Sequence, residues 1–293
     1  MNNLSADTPR VLVSIKPLHS LIMHITEGAA QTELLLTQQQ SPHHFQLRPS
    51  QQRMINRADI LFYSSDNIEG FVPKLKSTNP RLQFVELSTI HNITKLHNRG
   101  LHSHDEEPKA EHGNHSDENI DGHIWLSIKN ARIIGQFVAK KMIEIDPLNS
   151  SIYQNNLQSL HTQLSELNKN NSLLLDKIKD QPFLLYHDAY QYFENENKLT
   201  GAHFVTTSTE HSPGIKRIKD LKHLIDTENI QCVFYEPPNI PPLLNTLLEK
   251  KSVRLLPIDP AGTQIASGKT HYFELMSQTA KKIHGCLSTI TRN

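Results

Sequence analysis

Residues 182–195 read PFLLYHDAYQYFEN, in which a short apolar run is followed at once by a helical pattern. The apolar residues of Pro182–Tyr186 predict a buried strand, and Ala189–Asn195 predicts the helix that follows it. A strand without polar alternation is typical of a parallel sheet that helices cover on both faces. The same strand–helix unit recurs on both sides of this segment, so its pattern indicates the fold class.

Strands and helices are predicted to alternate through both halves of the chain. In the first half the predicted strands are Arg10–Ile15, Thr32–Leu36, Ile60–Ser64 and Gln83–Leu87, with helices beginning at Pro17, Ser50 and Ile68. In the second half the further strands are Ala202–Thr206, Gln231–Tyr235 and Val253–Pro257, with helices over Pro213–Asp226, Pro241–Lys250 and Tyr272–Cys286. This alternation predicts an α/β protein with two roughly four-stranded parallel sheets flanked by helices.

A helical middle separates the two halves. Asp146-Pro147 is a suitable cap and first position for a long helix, and leucines at spacings of three and four continue its apolar stripe to about Ile178. A helix of this length can join two lobes, although it can also belong to one lobe alone. We therefore predict a βα lobe over residues 8–145, a linking helix over 146–178 and a second βα lobe over 179–291.

Residues 91–122 interrupt the pattern. They contain seven acids and three bases, and their six histidines are His91, His97, His102, His104, His112 and His115. A segment with so little apolar content predicts a mobile, disordered loop that forms no core. Imidazole and carboxylate in a flexible chain favour low-affinity metal collection, and the alternative is a solvated insertion without function.

The overall charge excludes several classes of partner. The 293 residues include 30 Lys+Arg, 30 Asp+Glu and 18 His, so the formal net charge is zero while the histidines are neutral. A neutral chain is not built to bind nucleic acid or an anionic membrane through bulk charge. The first residues lack the basic and apolar regions of a signal peptide, which fits a cytosolic protein or a mature secreted one.

The cysteines leave two alternatives open. Cys232 and Cys286 are the two cysteines of the chain, and neither belongs to a CxxC pair. They are either buried free thiols or one disulfide, which requires an oxidising compartment.

Four residues outside the His-rich segment stand where metal ligands are expected. His43, His187 and Asp259 follow predicted strands, and His123 precedes the middle helices. Open α/β sheets bind ligands at the carboxyl ends of their strands, so these residues are predicted to converge in the cleft between the lobes. Taken singly, each is more often an ordinary hydrogen-bonding residue.

Several motifs in order carry a resemblance to a known family. They are SIKPL at 14–18, HHFQLRPS at 43–50, GHIWLS at 122–127, HDAYQYF at 187–193, EP at 236–237, DPAG at 259–262 and GKTHY at 268–272. The set resembles the zinc-binding periplasmic solute-binding proteins of ATP-binding-cassette (ABC) transporters, the ZnuA-like type of the metal-binding cluster A-I family. The resemblance covers nearly the whole chain, and an acidic, His-rich insertion before His123 is typical of the zinc members.

The resemblance implies a zinc site and its surroundings. His43, rather than His44, takes the first ligand position, and His123 and His187 take the others. Pro42 stands where some relatives carry a residue that serves as the fourth ligand. In this chain the fourth ligand of the zinc is therefore expected to be Asp259 or a water. The resemblance also implies a Cys232–Cys286 disulfide, a periplasmic location, a permease partner for the Zn²⁺ cargo, a monomer and no enzymatic activity.

Three alternatives to zinc transport remain at this point. Manganese or iron is the runner-up cargo, although three imidazoles favour zinc by ligand type. A zinc-dependent hydrolase also uses three histidines and a water, but the chain has no HExxH motif and no nucleophile elbow. A surface adhesin or metal-buffering protein on the same fold is the third.

Overall fold

The structure, a computed structural model, describes residues 8–37, 47–100, 120–207 and 213–289. The chain forms two compact units. Unit 1 comprises Met1–Lys95, Gly122–Asn170 and Ala261–Ser277, and unit 2 comprises Leu96–Asp121, Asn171–Pro260 and Gln278–Asn293. The units interleave along the sequence, whereas the predicted domains follow one another, and those boundaries stay a prediction.

Unit 1 is built on a four-stranded parallel sheet in the order β2-β1-β3-β4. Its strands are β1 Arg10–Val13, β2 Gln31–Leu34, β3 Ile60–Tyr63 and β4 Gln83–Glu86. Its helices are α1 Lys16–Thr26, α2 Pro49–Arg57, α3 Val72–Thr78 and α4 Ile128–Ile145. Every residue of β3 is buried, as expected for a central parallel strand covered on both faces.

Unit 2 repeats the plan with a four-stranded parallel sheet in the order β6-β5-β7-β8. Its strands are β5 Phe183–His187, β6 Ala202–Thr206, β7 Cys232–Tyr235 and β8 Arg254–Pro257. Between them lie α6 Gln191–Asn197, α7 Ile215–Thr227 and α8 Pro242–Leu247. Apolar side chains of β5, β6 and β7 pack with those of α7 and α8 into one buried core.

Two helices contribute residues to both units. The predicted linking helix is α5, Ser150–Leu175, flanked by 3₁₀ turns at Pro147–Asn149 and Asp176–Ile178. Its residues up to Asn170 belong to unit 1 and the remainder to unit 2. The last helix is α9, His271–Leu287, which is divided after Ser277.

The expected disulfide is present, and both of its cysteines belong to unit 2. Cys232 on β7 is bonded to Cys286 near the end of α9. Arg254, which pairs with Cys232 across β7 and β8, donates a hydrogen bond to the Cys286 carbonyl oxygen. The disulfide thus joins the last helical turns to the sheet of unit 2.

The fold class and all eight predicted strands are confirmed, while several helix ends differ. The third helix begins at Val72 rather than Ile68, because residues 68–71 form turns after β3. The helix after β5 begins at Gln191 rather than Ala189, because the Ala189 N–H is donated to the His187 carbonyl oxygen in a tight turn. None of the helices in the described ranges is long and apolar enough to cross a membrane.

Candidate metal centre

The four predicted ligand residues are distributed over the chain. His43 lies outside the described residues. His123 belongs to unit 1, and His187 and Asp259 belong to unit 2. Within the described ranges, no group of three or more His, Cys, Asp or Glu side chains has the arrangement of a metal site. The surroundings of each residue are therefore considered in turn.

His123 is held by the close packing of the residue before it. Its side chain is buried, and its ring contacts Trp125 with centroids 5.3 Å apart. The Gly122 carbonyl oxygen accepts a hydrogen bond from the Ser64 hydroxyl at 2.6 Å. A Cβ atom at Gly122 would collide with Ser65 and Ile68, so only glycine fits here. The backbone that carries His123 is consequently fixed against the loop after β3.

A buried carboxylate organises that loop. Glu69 is fully buried, and its Oε2 accepts hydrogen bonds from the Ser64 and Ser65 N–H groups at 2.6 and 3.2 Å. Burial raises the pKa of Glu69 to about 7, although the two backbone donors oppose the increase. Glu69 thus lies inside unit 1, where it supports the loop that packs against Gly122.

His187 is the last residue of β5 and is held by a carboxylate. Its side chain is 4% exposed, and its Nδ1 lies 2.7 Å from Oε1 of Glu236, which follows β7. Because a carboxylate accepts, Nδ1 donates, and the neutral tautomer carries its lone pair on Nε2. Burial lowers the pKa of His187, but the hydrogen bond and charge of Glu236 outweigh burial and raise it.

A carboxylate behind a histidine is a common feature of metal sites. Such a partner fixes the ring orientation and makes the ligating nitrogen more basic. Sequence reasoning missed this role for Glu236, since 49 residues separate it from His187. The signal was its position directly after a strand of the same sheet, at the edge where His187 also stands.

Several acids surround His187 within unit 2. Asp188 and Asp121 contribute to the raised pKa of His187. Asp259, two residues after β8, acts together with Glu236 on the buried Tyr190, whose pKa is raised first by burial and then by both charges. Carboxylates are thus concentrated around His187, and groups of this charge favour the binding of a cation.

The predicted mobile segment is ordered at both ends. Residues 91–100 and 120–122 are described, and His97 forms an antiparallel bridge with Ile120. The Tyr192 hydroxyl holds both sides, since it accepts from the Leu96 N–H and donates to the Asp121 carbonyl oxygen. The prediction of disorder was wrong for these residues, because backbone pairing and Tyr192 supply the contacts that composition did not reveal.

The histidines of that segment divide in the same way. His91 and His97 are exposed on the ordered part. The four others, His102, His104, His112 and His115, lie outside the described residues.

Comparisons with known proteins agree with this architecture. The family described as zinc-uptake complex component A, periplasmic, matches residues 11–286. The class defined by the fold is an α/β binding protein with two parallel-sheet units, and this chain belongs to that periplasmic zinc-uptake component family.

Individual relatives cover almost the whole chain. The high-affinity zinc uptake system protein ZnuA of Brucella suis is 30% identical and is matched over 98% of this chain and 94% of its own length. The ZnuA protein of Yersinia pestis is 28% identical and is matched over 98% of this chain and 93% of its own length.

Solved structures show the same fold. The crystal structure of ZnuA aligns with a TM-score of 0.78 at 20% identity, covering 95% of this chain and 99% of that one. A zinc-bound deletion mutant of ZnuA aligns with a TM-score of 0.80 at 20% identity, covering 97% and 100%.

Proposed function

We propose that this chain captures Zn²⁺ in the periplasm and delivers it to the membrane permease of an ABC transporter. Membership of the zinc-uptake family supports the cargo and the transport role. The observation that carries the proposal is the hydrogen bond from the buried His187 to the half-buried Glu236 at an acid-rich sheet edge, an arrangement suited to a divalent cation. The protein acts as a monomeric binding component without enzymatic activity.

The proposed ligands are His43, His123 and His187, with Asp259 or a water as the fourth. Three imidazoles and at most one carboxylate suit the tetrahedral preference of zinc. Manganese prefers oxygen ligands, so this donor set favours zinc over manganese. His123 and His187 are both buried on ordered backbone, which is what a tight site requires of its ligands.

The His-rich segment has a separate, weaker role in this proposal. His91, His97, His102, His104, His112 and His115 bind zinc loosely and raise its concentration near the protein. The exposure of His91 and His97 supports access from solvent.

Competition titration against a chelator of known zinc affinity tests the assignment. A chain that lacks residues 101–119, and with them His102, His104, His112 and His115, should keep one tight site and lose most of the weak binding. In the complete chain, His123→Ala and His187→Ala should each weaken zinc binding by more than about 100-fold, the upper end of what loss of a ligand's hydrogen-bond partner costs. His223→Ala, which changes an exposed residue of α7, is the matched control and should leave affinity unchanged.

Two results would contradict the proposal. Loss of tight binding on deletion of 101–119 would place the main site in the His-rich segment. Wild-type affinity in both His123→Ala and His187→Ala would show that the ligands lie elsewhere.

A further inference from the structure

The ordered base of the insertion is attached to the residues that follow His187. We call Leu96–Gly100 and Ile120–Asp121 the stem. Besides the contacts of Tyr192, the Gln191 amide donates to the His97 carbonyl oxygen at 3.0 Å. The stem and the residues that bind it all belong to unit 2. The described residues on both sides of the His-rich segment are therefore attached to the first turn of α6.

Arg99 of the stem joins two carboxylates of this region. Its Nε donates to both oxygens of Asp188 at 3.0 Å. Its Nη1 and Nη2 donate to the two oxygens of Glu194 at 2.8 and 3.2 Å. The guanidinium also lies over the ring of Phe204, 4.9 Å from the centroid. One planar cation thus binds two carboxylates, a geometry that arginine provides and lysine does not.

The two carboxylates need this cation because they are buried. The side chains of Asp188 and Glu194 are 3% and 7% exposed, while that of Arg99 is 29% exposed. Burial raises the pKa of Glu194 and Arg99 opposes the increase, while the charge of Asp188 adds to it. Without the guanidinium, two like charges would stand close together away from water, and at least one would have to turn outwards or take up a proton.

Asp188 connects this ion pair to His187. It directly follows His187, and its N–H donates to the Thr206 carbonyl oxygen at 3.0 Å. The backbone after the ligand is thereby fixed by β6 on one side and by Arg99 on the other. A movement of the Asp188 side chain towards solvent would shift the peptide that carries the His187 ring.

We propose that Arg99 is a positioning residue for zinc binding: it holds Asp188 against α6 and so keeps the imidazole of His187 in its ligating orientation. This inference rests on the proposed function, since it takes His187 as a zinc ligand. It gives the stem of the insertion a role at the tight site, separate from metal collection by the exposed histidines.

The test compares two arginines that stack on the same ring. Arg217 lies over Phe204 at 5.4 Å and donates to the carbonyl oxygens of Phe204 and Val205. Arg99→Met should weaken zinc binding by about tenfold in chelator competition, the lower end expected for a residue that orients a ligand. Arg217→Met should leave zinc affinity unchanged, and Arg99→Lys should give an intermediate value because lysine provides a single point charge.

A double variant shows whether Arg99 acts through His187. In the His187→Ala background, Arg99→Met should cause no further loss of zinc affinity. Wild-type affinity in Arg99→Met, with a lower melting temperature, would mean that the ion pair only stabilises the fold and would overturn the inference. If Arg99→Met does not fold, the charge-neutral combination of Arg99→Met, Asp188→Asn and Glu194→Gln replaces it, with the same roughly tenfold loss expected and wild-type affinity as the contrary result.

Failure of the proposed function gives a different result. Wild-type affinity in His187→Ala would remove His187 from the site, and the inference would fail with it. Loss of binding in His187→Ala together with wild-type affinity in Arg99→Met would overturn the role of Arg99 alone.

Discussion

His123 and His187 are both buried histidines beside parallel sheets, yet their surroundings differ. Shape fixes His123, because Gly122 fits closely against Ser65 and its carbonyl oxygen accepts from Ser64. Charge fixes His187, through a hydrogen bond to Glu236 within a group of acids. Changes in volume should therefore disturb unit 1, and changes in charge should disturb the region around His187 in unit 2.

The largest expected effect is a loss of stability in unit 2 when its disulfide is removed. Replacement of both cysteines, Cys232→Ala with Cys286→Ala, should lower the free energy of unfolding by about 4 kcal/mol, since the disulfide closes a loop of 54 residues in the unfolded chain. Chemical denaturation in the absence of reductant measures this change. Because both cysteines belong to unit 2, hydrogen exchange should increase first in β7 and β8. Faster exchange confined to unit 1 would contradict this assignment.

The next largest expected effect is a dependence of the unfolding free energy on pH, caused by a buried histidine of unit 1. Burial lowers the pKa of His19 to about 4 from an ordinary value of 6.5. Between these values the unfolded chain takes up a proton that the folded chain does not, so stability is complete above pH 6.5 and decreases as the pH falls to 4. The loss attributable to His19 is about 3 kcal/mol.

The variant His19→Gln isolates that contribution. It should flatten the dependence of the unfolding free energy on pH between 6.5 and 4, as measured by denaturant titration. His223→Gln changes an exposed histidine and serves as the control. An unchanged slope in His19→Gln would mean that other groups are responsible.

Gly122→Ala tests whether shape holds His123. The added methyl group collides with Ser65 and Ile68, and overpacking of this kind costs about 2 kcal/mol. Thermal unfolding and zinc competition should both show a loss. Gly285→Ala is the matched control, because a Cβ there has no neighbour within 4 Å. Equal stability of the two variants would contradict the steric account.

Glu236→Gln tests whether charge holds His187. The amide oxygen can still accept from Nδ1, so the hydrogen bond is retained while the negative charge is lost. Zinc affinity should fall by about tenfold, or about 1.4 kcal/mol, with little change in melting temperature. Glu228→Gln, which alters a carboxylate paired with the half-buried His203, is the control. Unchanged affinity in Glu236→Gln would assign the orientation of His187 to packing.

Sequence patterns predicted the strands well because fully buried parallel strands such as β3 are continuous apolar runs. They predicted the start of α3 less well, since Glu69 uses its side chain to bind the loop N–H groups before the helix begins. Residue types and family resemblance predicted His187 as a ligand, but they did not predict its partner Glu236, which is distant in sequence and near only after folding. The ordered position of Arg99 could not be predicted, because it lies in a hydrophilic segment whose composition predicted disorder. In the structure, its two carboxylate partners hold it in place.

The central claim is that His43, His123 and His187 form one tight zinc site, distinct from the His-rich segment. Anomalous diffraction at the zinc absorption edge, on crystals of the complete chain with one equivalent of zinc, tests it most directly. The account predicts a single strong peak about 2.0–2.1 Å from Nε2 of His187, with the imidazoles of His123 and His43 also bound. A peak confined to residues 101–119, with none at His187, would contradict it.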